Sequence, residues 1–137
     1  MVIAHACRST TVEHIFCRAF ERNANMAYEF KESDWKLFHK RLPDWQEAFM
    51  DRLNREYIRI LTADGTPSDR FWKLEEKILE DKKYTGVQCN PRRSNFVLLI
   101  RQLLTESAIT LEDIDGFSDE LQEHLRNWVR RSYEDDE

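Results

Sequence analysis

A chain of 137 residues with 41% hydrophobic and 34% charged side chains has apolar mass for one core and hardly for two. Its formal charge of -5 at pH 7 excludes a protein whose main task is coating nucleic acid, which needs a concentrated positive face. With three glycines, three prolines and no alternating runs of Val, Ile and Thr, a sheet-rich fold is excluded as well, and an all-α bundle is expected.

Residues 1–25 differ from the rest. They hold Cys7, Cys17, His5 and His14 and sum to +1, with Arg8, Arg18 and Arg22 against Glu13 and Glu21, so the remainder carries -6. No clean helix cap occurs in them. A poorly ordered N-terminal extension over 1–25 is expected, followed by a single helical domain over 26–133 and an acidic tail over 134–137. Met26 resembles a natural start, with a short polar lead before the first cap.

In the domain, Ser33 or Asp34 is expected to cap a short helix, "WKLFHKRL", which Pro43 ends or sharply kinks because the residue before a proline avoids the α region. Pro43 then fits the first turn of a longer helix to about Thr62. Trp45, Phe49, Leu53, Tyr57 and Ile60 or Leu61 form its inward stripe at steps of three to four. "ADGTPSD" punctuates: Gly65 turns the chain, Thr66 caps, Pro67 takes the first helical position, and Asp69 completes a capping-box-like T-x-x-D. The next helix, to about Lys83, is expected to bury Phe71, Leu74 and Ile78, with Trp72 and Leu79 as further candidates.

After the loop "KYTGVQC", a helix is expected from Pro91 to about Thr105. It is the most apolar on the chain and therefore central to the bundle. Thr110 caps one short turn, Gly116 ends it, and Ser118 caps a last helix with Leu121, Leu125, Trp128 and Val129 inward. The total is four main helices plus two short ones.

Chemical motifs are few. Phosphate-cradling glycine loops, H-E-x-x-H and G-x-S-x-G are missing from the sequence. His5, Cys7, His14 and Cys17 are zinc-type ligands, but H-x-C-x6-H-x2-C matches no finger spacing, so no metal is expected. "DIDG", Asp113 to Gly116, fails the register of a calcium loop. Glu120 and His124 stand at i, i+4, whereas di-iron bundles use Glu-x-x-His. His39 and His124 read as solvated or edge histidines. Cys89, placed before a helix cap where a dipole can lower a thiol pKa, reads as a small loop residue. No cofactor and no catalytic residue is expected.

One feature is electrostatically odd. A helix starting at Pro91 puts Arg92 and Arg93 in its first turn, against a dipole that disfavours cations there by about 0.3–1 kcal/mol each. Three offsets are open: internal carboxylates such as Glu76, Glu80 or Asp81 or the acidic chain end; an acidic partner protein; or a phosphate held by both guanidinium groups and free helix N–H groups. Lys82 and Lys83 lie close enough in sequence to enlarge such a patch. These four residues are the candidate partner- or anion-binding site.

The runs "FHKRLPDWQEAFMDRLNREYIRIL", "SDRFWKLEEKILEDKK" and "DIDGFSDEL", between about Trp35 and Trp128, resemble small uncharacterised helical proteins of Gram-positive gut bacteria and their mobile elements. That resemblance implies a small helical fold and no particular activity. The longest purely apolar run, Phe96 to Ile100, falls far short of the roughly 20 residues of a membrane span. An odd cysteine count without framework spacing, and no leader-like start, point to a reduced, cytoplasmic protein. A protein-protein interaction or regulatory module without catalysis is expected, its partner another protein or a second copy of itself. The alternative is a weak nucleic-acid or phosphate-ligand binder through Arg92 and Arg93.

Overall fold

The structure, a computed structural model, describes residues 31–136. The expected extension over 1–25, the start at Met26, the ligand set His5, Cys7, His14 and Cys17, and the last residue of the tail lie outside these. The described chain is all-α, with four helices and no strand: α1, Glu32–Thr62; α2, Pro67–Asp81; α3, Phe96–Thr105; and α4, Asp119–Glu134.

The expected break at Pro43 does not occur. α1 runs unbroken for 31 residues with Pro43 inside it, roughly 46 Å of helix. Proline in a helix interior costs about 3 kcal/mol through a lost hydrogen bond and a ring clash. Here Phe38, Leu42 and Phe49 are buried on both sides of it, and each such side chain contributes about 1.5–3 kcal/mol. His39 and Pro43, four apart, share the exposed face, so the carbonyl freed at His39 opens to water. Neither Ser33 nor Asp34 caps α1; the N-cap is Lys31, without a side-chain bond.

Asp34 has a different task. It is 2% exposed, and its carboxylate accepts from the Ser118 backbone N–H at 2.8 Å and hydroxyl at 2.6 Å. Ser118 Oγ in turn accepts from the Leu121 N–H, so the α4 cap is locked onto the first turn of α1. Lys31 adds an ion pair to Glu120 at 2.8 Å beside it.

The main core is built from Phe38 and Leu42 of α1, the i, i+3, i+4, i+7 stripe Phe96, Leu99, Ile100 and Leu103 of α3, and Leu121 and Leu125 of α4, with Ile109, Ile114 and Phe117 from the α3–α4 connection. α3 is thus central, though shorter than expected: it begins at Phe96 rather than Pro91. Asn95 explains the late start. Its side chain turns back, accepting from the Arg92 N–H and donating to the Asn90 carbonyl, which closes a separate turn before the helix.

The second expected short helix, after Thr110, is a series of turns. Arg41 holds it by donating to the carbonyls of Asp113 and Asp115, with its guanidinium 5.7 Å from the centre of the Phe117 ring. Gly116 adopts φ +94, which favours glycine, and a Cβ there would lie 2.8 Å from an Arg41 guanidinium nitrogen. These turns, α1 up to about Trp45, α3 and α4 form a compact head.

α2 stands apart from it. No α2 residue joins the main core, and the only one buried is Asp81. The helix lies along the distal half of α1, making a two-helix arm that extends from the head.

Candidate interaction surface

The arm begins as the sequence requires. Thr66 Oγ1 accepts from the Asp69 N–H, Asp69 accepts from the Thr66 N–H, and Pro67 opens α2. Arg70 closes the turn by donating to the carbonyls of Ala63 and Gly65. Farther down, Tyr57 donates to Asp81 at 2.7 Å, and Lys77 bridges Asp81 at 2.7 Å and Glu56 at 3.2 Å. Burial, and then the Asp81 carboxylate, push the Tyr57 phenol up to about 12. The helices are therefore held by polar pairs at their facing edges, with Leu74 and Ile78 half-buried between them.

The outer surface contradicts the expected burial of Phe71. Phe71 is 60% exposed, Trp72 61%, Leu79 53%, Ile58 59% and Leu61 49%. The facing positions are Leu53, Tyr57 and Ile60 on α1, and Leu74, Ile78 and Asp81 on α2. At about 100° per residue from these, Leu61 and Phe71 fall on the same side of the hairpin. Ile58 extends this patch around α1; Leu79 and Trp72 extend it around α2. Phe71 and Trp72 pack edge to face, ring centres 4.9 Å apart, a geometry worth about 0.5–1.5 kcal/mol.

The arginines that looked misplaced are not in a helix at all. Arg93 makes a two-pronged bond to Glu32, Nε at 3.1 Å and Nη2 at 2.9 Å, and stacks 5.6 Å from the Trp35 ring centre. The bonded Arg93 guanidinium holds the Glu32 carboxyl below its ordinary range. The offset is internal, but supplied by Glu32 rather than by Glu76, Glu80, Asp81 or the chain end. Arg92 is exposed with no ion pair among the described residues. Lys83 pairs with Glu80 at 3.4 Å, and Lys82 forms the C-cap of α2. No hydrogen bond or ion pair joins these four.

Between arm and head is a cleft of about 300 Å³ lined by Phe49, Arg52, Leu53, Glu56, Lys77, Tyr84 and Glu106. Its charges are already engaged. Glu106 accepts from the N–H groups of Thr85 and Gly86 at 2.8 and 3.1 Å, Arg52 donates to the Ser107 carbonyl, and Lys77 is paired as above. Burial raises the Glu106 carboxyl above its usual range, partly offset by those N–H bonds. Gly86 packs against the Phe49 ring so closely that a Cβ would lie 2.4 Å from it.

Cys89 lies in the loop, seven residues before α3, too far for the helix dipole to act. Burial, then Glu106, push its thiol up, so it is held as a thiol. His39 is exposed, its ring centre 5.3 Å from that of Trp35. His124, expected in water or at an edge, is half-buried and bonded to the Arg101 guanidinium. Arginine has no acceptor, so Nε2 must accept and the ring is neutral. Burial, then Arg101 and Arg131, lower the His124 pKa. Among the described residues no group of three or more His, Cys, Asp or Glu is placed to hold a metal ion, and no helix is long and apolar enough to cross a membrane.

No protein-family model, curated protein or solved structure matches the chain. The sequence did carry a sign of the exposed surface: Phe71, Trp72, Leu74, Ile78 and Leu79 occupy more of a 15-residue helix than one neighbour can cover.

Proposed function

We propose that this protein is a cytoplasmic protein-protein interaction or regulatory module whose working surface is the apolar arm, with no catalytic role. The supporting observation is the exposed group Ile58, Leu61, Phe71, Trp72 and Leu79. Large apolar side chains exposed in such number on one helix pair mark a binding surface more often than an idle one. Aromatic anchors within it match the residues that dominate binding energy at interfaces. A nucleic-acid or phosphate function at Arg92 and Arg93 draws less support, because Arg93 is already bonded to Glu32.

The test compares capture of partners from native lysate by the full chain, by Phe71→Ser with Trp72→Ser, and by Arg92→Ala with Arg93→Ala. Loss in the first double variant only, after nuclease treatment, is the expected result. Capture that survives the arm variant and fails in the arginine variant would transfer the function to the arginine turn.

A further inference from the structure

We propose that α2 is a hinged strap on α1, clasped at its C-terminal end by the corner Thr85–Gly86, and that release of this one corner lets α2 leave α1 while the head stays folded. The device is separate from the outer apolar face and concerns the inner side of the arm.

Residues 82–88 move with α2 because their backbone is knit to it. The Lys82 N–H bonds the Ile78 carbonyl, that of Lys83 bonds Glu80 and that of Tyr84 bonds Asp81, while Val87 and Gln88 both donate to the Tyr84 carbonyl. Gln88 adds a side-chain bond to the Lys82 carbonyl. Among the described residues no backbone–backbone bond ties this stretch to α1, α3 or α4. Side chains of α1 and α3 do the holding, and they converge on one corner. Thr85, 6% exposed, donates its N–H to Glu106 at 2.8 Å and its hydroxyl to Gln102 at 2.8 Å, and its carbonyl accepts from Gln46 at 3.1 Å. Gly86 donates to the other Glu106 oxygen at 3.1 Å and lies on the Phe49 ring, which Tyr84 meets edge to face.

Two features make this clasp releasable. The Glu106 carboxylate, which accepts from both Thr85 and Gly86, has no cation bound to it: Arg52 donates to the Ser107 carbonyl, and Lys77 is paired with Asp81 and Glu56. Its burial is offset by N–H bonds alone, and opening returns it to water. Beyond the corner, α2 buries only Asp81 and half-buries Leu74 and Ile78, so little apolar contact opposes separation. The bonds from Tyr57 to Asp81 and from Lys77 to Glu56 exchange for water on opening, at a modest net cost. The other end of α2 is the pivot, since the capping box and the Arg70 bonds to Ala63 and Gly65 close that turn without help from the head. Closed, α2 faces Leu53, Tyr57 and Ile60 of α1; open, it bares them and widens the cleft.

Hydrogen exchange of the full chain, read by mass spectrometry on peptides from 67–88 and from α3 and α4, tests this with two variants. Gly86→Ala sets a Cβ too close to the Phe49 ring for both to stay, which wedges the corner off it. Glu106→Ala removes both carboxylate bonds. Each is expected to speed exchange across 67–88 by about tenfold or more, with α3 and α4 unchanged to within about twofold. Unchanged exchange across 67–88 in both variants would overturn the clasp. Acceleration of α3 and α4 by the same factor as 67–88 would overturn the strap as a separate unit, because the corner would then belong to one cooperative core.

Discussion

The head and the arm solve the same problem, keeping helices together, by opposite means. In the head, eleven buried residues from α1, α3, α4 and their connection interlock, and the polar link between Asp34 and Ser118 is buried with them. In the arm, two helices are held by a capping box, an Arg70 clasp and the Tyr57–Asp81–Lys77–Glu56 chain, while the largest apolar side chains face outward. The arm thus places polar pairs between its helices and leaves Phe71 and Trp72 exposed.

The sharpest way to break this contrast is to cut matched apolar side chains in each region. Leu121→Ala, at a fully buried site, is expected to cost about 2–5 kcal/mol. Phe71→Ala is expected to change the stability of the monomer by about 0.5 kcal/mol or less. Urea denaturation at low micromolar concentration measures both, and a large cost at Phe71 would mean that the arm is core after all.

Next in size is Asp34→Ala. It removes both Ser118 bonds from a buried site, for an expected loss of about 2–3 kcal/mol. Asp34→Asn keeps an acceptor and should lose less.

Much of the helix layout was legible in the sequence, in the arm as in the head, and the reasons are local. Thr66, Pro67 and Asp69 form a cap from four consecutive residues, and Ser118 with Leu121, Leu125 and Trp128 shows both a start signal and a 3.6-residue stripe. Most of the differences depend on distant partners. Asp34 has the form of a cap but serves Ser118, 84 residues away. Pro43 breaks helices on its own but not when Phe38, Leu42 and Phe49 anchor both sides. Asn95 ends a turn before α3, moving Arg92 and Arg93 out of the helix. Phe71 and Trp72 fit a core pattern because hydrophobic periodicity identifies an apolar face and leaves open what covers it.

A smaller effect refines the head. Ser107 adopts φ +58 just after α3, where the Ala108 N–H bonds the Leu103 carbonyl and the Ser107 N–H the Leu104 carbonyl, a helix end that favours glycine. Ser107→Gly should stabilise by up to about 1 kcal/mol.

The smallest expected effect is a pH dependence. His124 has its pKa lowered in the folded state, so the unfolded chain protonates first. The stability it contributes is present above the unfolded value of about 6.5 and is lost as pH falls through the folded value. His124→Gln keeps an acceptor for Arg101 and cannot titrate. It should flatten the fall of Tm below pH 6.5; an identical slope would locate that dependence elsewhere.

Hydrogen exchange on the full chain, read by mass spectrometry, tests the division between a closely packed head and a sparsely packed arm. The expected result is slow exchange in α3 and α4 and clearly faster exchange between about Arg55 and Glu80. Equal protection of α2 and α3 would contradict it.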